Sequence, residues 1–361
     1  MNQILFIQTA FVGDLLLSIP TLRAMKSEHP DARVTLLCRK GLGDFMRSAS
    51  LVDEVIEADK SSTSAWKAIQ DNLVSKKWHV VYCPHQSTRS LILARKLRSP
   101  RKVGYRSLLG KFVFNESIER PMHLPEALRQ LALLNSKRTD ELFNFEPKRN
   151  QSIYRRLPKL EDKKPGVRTE TLKAVPKWAS MEVPSLKSSK QKAVVLSPGS
   201  IWATKKWTEE GFTEAARHFL SQGKIVYLLG STDEREICER VRVQAMSGSM
   251  APADKIANLA GSKTLWESAQ IMAAAELVVT NDSGAMHMAA CAGTPSVSVF
   301  GPTVLEQGYR PWQTNSRVVH SVLSCRPCGK HGSQKCPIGT HECMKLVGSD
   351  AVIAASRDLI S

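Results

Sequence analysis

Short apolar runs alternate with amphipathic stretches from the first residues onward. ILFIQ (4–8) precedes a helical pattern over 15–28, RVTLLC (33–38) precedes GLGDFMRSA (41–49), and DEVIEA (53–58) precedes a helical pattern over 65–76. HVVYC (79–83), a helical stretch over 88–97 and KVGY (102–105) complete this half. The same rhythm restarts at AVVLSPGS (193–200). It continues through helical stretches over 209–222, 233–245 and 264–275, with KIVYLLGS (224–231) after the first of them. LVVT (277–280) then joins a short helix ending at Gly293, and Pro295 opens the run 296–300, a βαβ unit. Strands that alternate with helices of roughly 10–15 residues predict parallel, doubly wound sheets, so each half reads as a Rossmann-like domain. Such sheets bind ligands at the carboxyl ends of their strands, and a facing pair would enclose a cleft. The expected organisation is a first domain over 1–150, a linker over 151–191, a second domain over 192–347 and a final helix over 348–361.

Composition and charge add to this pattern. With 361 residues, 42% apolar and 24% charged, the chain is that of an ordinary globular protein with two domains. The apolar run 4–19 has no basic residue before it, is interrupted by Asp14 and lacks a small-residue cleavage site, so it reads as strand, turn and helix rather than a signal peptide. The expectation is a soluble, cytoplasmic protein. The net charge of +17 fits nucleic acid, an anionic membrane surface or a phosphorylated substrate. Eleven Lys or Arg against four acidic residues fall in 151–192, a stretch with four prolines and no sustained periodicity, which reads as a connector.

Candidate chemistry sits at the strand ends. In NDSGAMHMAA (281–290), Asp282 and Ser283 are natural helix caps, Gly284 lets a ligand approach the backbone, and the first helical N–H groups face any anion placed there. His287 lies about one turn into that helix, either as a phosphate contact or as a structural residue. The loop 9–14 (TAFVGD) offers Gly13 for a tight turn and Asp14 at a helix start, either as a cap or as a general base. It lacks the GxGxxG spacing of a dinucleotide site. A third loop, SPGS (197–200) with Ser200, leads to Ala203-Thr204-Lys205-Lys206-Trp207, small hydroxyl residues and lysines suited to a polyanion. Thr232 stands at a fourth strand end, fit either for a ribose or base or for capping.

The loop bearing Gly13-Asp14, the SPGS and KKW segments, the LLGS strand end and TNDSGAMHMAA, in that order, resemble glycosyltransferase family 9, the lipopolysaccharide heptosyltransferases. Arg89, Gly104-Tyr105 and His123 match the family's looser pattern in the first half. The resemblance implies the α/β GT-B fold, with an acceptor-binding first domain and a nucleotide-sugar-binding second domain. It implies inverting transfer of a heptose from ADP-heptose to the inner core of lipopolysaccharide, with Asp14 as the base. Lys205, Thr204, Ser283, Gly284 and His287 would hold the donor diphosphate, with Asp282 at the same helix mouth. No DxD motif stands in a suitable loop, so catalysis is expected to need no metal or other cofactor. The acceptor would be an anionic glycolipid at the inner face of the inner membrane, with Arg89, Arg95, Lys96, Arg98, Arg101 and Lys102 as its basic contacts.

Two features depart from the family pattern: Thr232, where some members carry an acidic residue, and the cysteines Cys325, Cys328, Cys336 and Cys343. The four cysteines admit a structural zinc, reduced thiols or disulfides. Cys38, Cys83, Cys238 and Cys291 read as buried packing residues. A GT-B transferase using a UDP-sugar is the alternative within enzymes. A basic zinc-containing nucleic-acid binder is the alternative outside them, and with aromatic residues at only 6% it lacks the interleaved rings that stack bases.

Overall fold

The computed structural model describes residues 2–134, 166–172, 183, 191–247 and 249–360. They fall into two units, one made of residues 2–134 and the other of the described residues from 166 onward. The rest of the expected linker lies outside the described residues.

The first unit is a parallel sheet of β1 (Gln3–Gln8), β2 (Arg33–Arg39), β3 (Glu54–Ala58), β4 (Val80–Cys83), β5 (Arg101–Tyr105) and β6 (Glu116–Ile118), in the order β3-β2-β1-β4-β5-β6. Phe6 registers with Leu36 on one side and Tyr82 on the other. The central strands are apolar throughout because crossover helices cover both faces, and Leu5, Ile7, Leu37, Val81 and Leu93 meet in one core cluster. The strand order reverses on either side of β1, so the loops after β1 and β4 flank a switch point where the chain opens a crevice.

One expected element divides. The single helix expected over 15–28 is two, Val12–Leu16 and Ile19–Glu28, because Pro20 lies in the first turn of the second. A proline there has no N–H to give and its ring would crowd a continued helix. Gly13 accordingly sits within the first short helix and not in a left-handed turn.

The second unit holds β7 (Gly166–Thr171), β8 (Gln191–Ser197), β9 (Ile225–Leu228), β10 (Ile256–Asn258), β11 (Ala275–Asn281), β12 (Ser296–Phe300) and β13 (Ser316–Val322), in the order β10-β9-β8-β11-β12-β13-β7. All pairs are parallel except β13 with β7. Residues 166–171, expected in the connector, thus form an edge strand: Val167, Thr169 and Thr171 supply the β-branched alternation of a half-exposed strand. The switch point lies between β8 and β11, which places the SPGS loop beside the Asp282-Ser283 turn. The closing helix, Ser349–Arg357, packs on this unit, with Val352 and Ala355 in the core beside Met344 and Val347. Among the described residues, no helix is long and apolar enough to cross a membrane.

Candidate functional site

In the first unit the chemistry gathers at the carboxyl edge of β1. Asp14 is the third residue of the Val12–Leu16 helix, and its carboxylate accepts the N–H of Phe11, the residue before the helix. Its pKa is nevertheless raised to about 6, first by burial and then by the charge of Glu126; Phe11's N–H and Arg120 oppose that rise. The two carboxylates differ in their partners. Buried Glu126 is paired with Arg120 at 2.6 Å and Arg129 at 3.1 Å, whereas Asp14 forms no ion pair among the described residues. An acid whose environment holds it near neutrality, next to one already neutralised, is a common arrangement for proton transfer. Ser18 fixes the helix carrying Asp14: its hydroxyl lies 3.0 Å from the Asp14 carbonyl and 2.7 Å from Gln130 Oε1.

Beside Asp14, the end of β4 contributes a polar knot that sequence reasoning missed. His85 Nδ1 lies 3.1 Å from Thr9 Oγ1 and 3.0 Å from Ser90 Oγ. Burial, then the charge of Lys60, lowers the His85 pKa to about 4, so the imidazole is neutral at physiological pH. Lys60 donates to the Thr9 carbonyl at 2.9 Å, and Arg89 donates to the Lys60 carbonyl at 2.9 Å. Arg89 therefore stands at this edge, as does buried His123 in the segment after β6. The other expected basic contacts do not. Arg95 and Lys96 end the Thr88–Lys96 helix, Arg98 bridges to Lys77 ahead of β4, and Arg101 and Lys102 begin β5, all at the opposite, amino edge. Arg101 is moreover spent on Glu116, at 2.6 Å.

In the second unit Asn281, fully buried at the end of β11, ties three strand-end segments together. It donates to the carbonyls of Pro198 (2.8 Å) and Gly199 (3.1 Å) and accepts the N–H of Trp207 at 2.8 Å. Gly199 is a close approach: a Cβ there would lie 2.1 Å from the carboxyl group of Glu234, which itself accepts the Ser231 N–H at 2.8 Å. Replacing Asn281 by alanine is expected to cost about 2–3 kcal/mol in urea unfolding, because a buried N–H and two buried carbonyls lose their partner. A cost below about 0.5 kcal/mol would show that the three segments do not depend on it.

The next residue, Asp282, pairs with Lys205 at 2.7 Å, and both side chains are nearly buried. Thr303 Oγ1 also donates to Asp282. Ser283, rather than Asp282, caps the Gly284–Ala292 helix, accepting the Ala285 N–H at 3.3 Å, and Gly293 closes that helix at φ 71°. Lys205, Asp282, Ser283 and Gly284 are thus brought together at one helix mouth, where unpartnered backbone N–H groups favour an anion. His287 lies buried in the same helix, its ring stacked on Trp312 at 5.7 Å between centroids, and its Nδ1 has no hydrogen-bond partner among the described residues. Burial, with Lys205 adding to it and Asp282 opposing, lowers its pKa to about 4, so the ring is neutral at physiological pH. Ser200 is buried beside them, its hydroxyl accepting the Trp202 N–H. Thr232 is exposed in the turn after β9, where Ser231 and Glu234 form a capping box.

Thr204 is placed differently from expectation. Its hydroxyl and its N–H both bond Ser333, and its carbonyl lies 2.8 Å from His341 Nε2. The cysteine-bearing loop therefore clamps the segment 201–205 from behind, with Gln334 also bonding Ala203 N and Ile201 O. All four cysteines there are free, and among the described residues no group of three or more His, Cys, Asp or Glu side chains is arranged to hold a metal ion. The backbone N–H groups of His341, Ile338, Gly339 and Thr340 draw the Cys336 thiol below its usual range, while burial pushes Cys343 up to about 11. Arg326 is buried within this loop, donating to the carbonyls of Thr303 and Ser321. Cys38, Cys83, Cys238 and Cys291 are buried, as their strand and helix positions imply.

A model of glycosyltransferase family 9 (heptosyltransferase) matches residues 66–338. Lipooligosaccharide heptosyltransferase 2 of Campylobacter jejuni subsp. jejuni serotype O:2 is 31% identical over 172 residues, 47% of this chain and 51% of that protein. The chain thus spans about half the length of this relative. Lipopolysaccharide heptosyltransferase 2 of Salmonella typhimurium is 22% identical over 308 residues, 83% of each chain. Among solved structures, the ADP-heptose lps heptosyltransferase II of E. coli superposes with a TM-score of 0.71 at 20% identity, covering 99% of this chain and 98% of that one. A glycosyl transferase family 9 protein of Veillonella parvula gives 0.72, also at 20% identity, covering 99% and 97%. The fold is therefore the GT-B fold of these proteins.

Proposed function

Because the chain belongs to glycosyltransferase family 9, the heptosyltransferases, we propose that it transfers a heptose from ADP-heptose to the inner core of lipopolysaccharide, inverting the anomeric centre and using no metal. The observation that carries this reading is Asp14, a carboxylate at the carboxyl edge of the first sheet with its pKa raised to about 6. That value lets it exist as a base at neutral pH and accept the proton of an attacking hydroxyl as the new bond forms. In the second unit, departure of ADP develops negative charge on the β-phosphate. Lys205 and the N–H groups at the Ser283–Gly284 helix start supply preorganised positive potential for that charge. A diphosphate arriving there competes with Asp282 for Lys205, and Thr303 remains as a hydrogen-bond partner for the released carboxylate. Thr204 serves by anchoring the segment that carries Lys205, its hydroxyl being taken up by Ser333. The acceptor is read as an anionic glycolipid, with the enzyme peripheral to the inner face of the inner membrane and the donor site of 192–347 separate from the acceptor side of 1–150.

The test is a transfer assay with ADP-heptose and a truncated lipid A core acceptor, run beside thermal unfolding with ADP, UDP, GDP or CMP. At a hundred times its dissociation constant, the cognate nucleotide stabilises the fold by about 2.7 kcal/mol. ADP is expected to be that nucleotide. Stabilisation by UDP alone would replace this reading with transfer from a UDP-sugar.

A further inference from the structure

We propose that the turn 106–112 docks the first unit onto an anionic lipid bilayer. The proposal deepens, and rests on, the reading of a membrane-held acceptor. Leu108, Leu109 and Phe112 are 77%, 53% and 65% exposed, three large apolar side chains within five residues. Scattered exposed leucines are ordinary, but a contiguous group on one turn marks an interaction surface. The turn is firmly built beneath these side chains. Ser107 Oγ accepts the Gly110 N–H at 2.9 Å, Phe114 N donates to the Gly110 carbonyl at 2.8 Å, and Arg106 N donates to Ile118 O at 2.8 Å. Phe114 is buried so tightly against Gly104 that a Cβ there would meet its ring at 2.3 Å. The backbone is thus held from below while the apolar tips project.

Charge identifies the occupant. Within residues 104–115, the stretch that holds the turn, the charged residues are Arg106 and Lys111, both cationic. Arg106 and Lys111 flank the tips, both exposed, and the Lys111 ammonium lies 4.9 Å from the centroid of the Phe112 ring. Apolar side chains accompanied by exposed cations match the interface of an anionic bilayer, where rings and leucines enter the acyl boundary and cations stay among the headgroups. A second copy of the chain is the poorer fit, because a twofold contact through this turn would oppose Arg106 and Lys111 to themselves. The turn also follows β5 at the same carboxyl edge as Asp14. Tyr105, the last residue of β5, lies under Arg120 at 5.2 Å, and Arg120 in turn pairs with Glu126 beside Asp14. A lipid-linked acceptor held at the turn would enter the edge that bears the base.

The experiment is cosedimentation of the full chain with vesicles of phosphatidylglycerol and phosphatidylethanolamine, against phosphatidylcholine alone. The wild type is expected to bind the anionic vesicles. The triple variant Leu108→Ser, Leu109→Ser, Phe112→Ser is expected to lose about tenfold or more in partitioning. Arg106→Gln with Lys111→Gln is expected to lose about fivefold per charge on anionic vesicles only. Urea unfolding midpoints equal to that of the wild type show that the variants are folded. Partitioning of the triple variant equal to wild type overturns the proposal, as does a wild type that fails to bind anionic vesicles. Conversion of a wild-type dimer to monomers by the triple variant overturns it too, in favour of self-association. Because no sugar substrate is present, a failed transfer assay leaves this measurement standing, and failed sedimentation leaves the sugar chemistry standing.

Discussion

Replacing Asp14 by asparagine is expected to lower the rate of transfer by about 10²–10⁴ and, in the same variant, to make the fold more stable at neutral pH. The loss follows from removing the proton acceptor while keeping the shape; asparagine can still accept the Phe11 N–H, so the helix start survives. The gain follows from the raised pKa. A carboxyl that ionises at about 6 in the folded chain, against an ordinary 3.8, favours folding only in its protonated form. Its contribution is full below pH 3.8 and is lost as the pH rises through 6. At pH 7.5 the wild type therefore carries a penalty of about 1–3 kcal/mol that the asparagine variant escapes. Denaturant unfolding of both proteins at pH 7.5 and at pH 3.5 measures this, and the gap should close at the lower pH. In the wild type, kcat/KM should climb with pH through about 6 and then level, and the variant should lack that limb. Equal activity with equal stability would reduce Asp14 to a helix-start residue.

The fold was legible where the chain is most apolar. β1, β2, β4, β8 and β11 are buried on both faces over most of their length, so each contains a compact apolar run rich in Val, Leu and Ile. β6 and β10 were not legible, being three residues each at sheet edges, with sequences ESI and IAN that carry no strand signal of their own. β7 hid inside a basic, proline-containing stretch, because a strand paired on one side only needs no apolar run, and Arg168 and Glu170 interrupt its β-branched residues. The Asp282-Ser283-Gly284 turn was legible because capping chemistry is local: a hydroxyl, a glycine and a following apolar helix say what they do without knowledge of the rest. What could not be read was anything depending on distant residues meeting. His85 reaches Thr9 across 76 positions, Asn281 reaches Trp207 across 74, and Thr204 reaches Ser333 across 129. The environment of Asp14 belongs to the same class, since Glu126 and Arg120 lie more than a hundred residues along the chain.

Lys205 presents the second large effect, and here stability and binding separate. Lys205→Met removes the partner of a carboxylate, Asp282, that is only 4% exposed. Breaking a buried pair from one side costs about 3–5 kcal/mol, because the remaining charge stays desolvated; the Thr303 hydroxyl offsets part of this. The single variant is therefore expected to unfold at markedly lower urea and to lose stabilisation by ADP. Adding Asp282→Asn removes the stranded charge and keeps an acceptor for Thr303, so the double variant should regain most of the lost stability. ADP stabilisation should not return, since the helix start alone would face the diphosphate without its cation. The cycle of wild type, two singles and double, followed by urea unfolding with and without ADP, isolates the pair term. Recovery of nucleotide binding together with stability would mean that Lys205 acts only by neutralising Asp282, and that the diphosphate is held by the backbone N–H groups of residues 283–285.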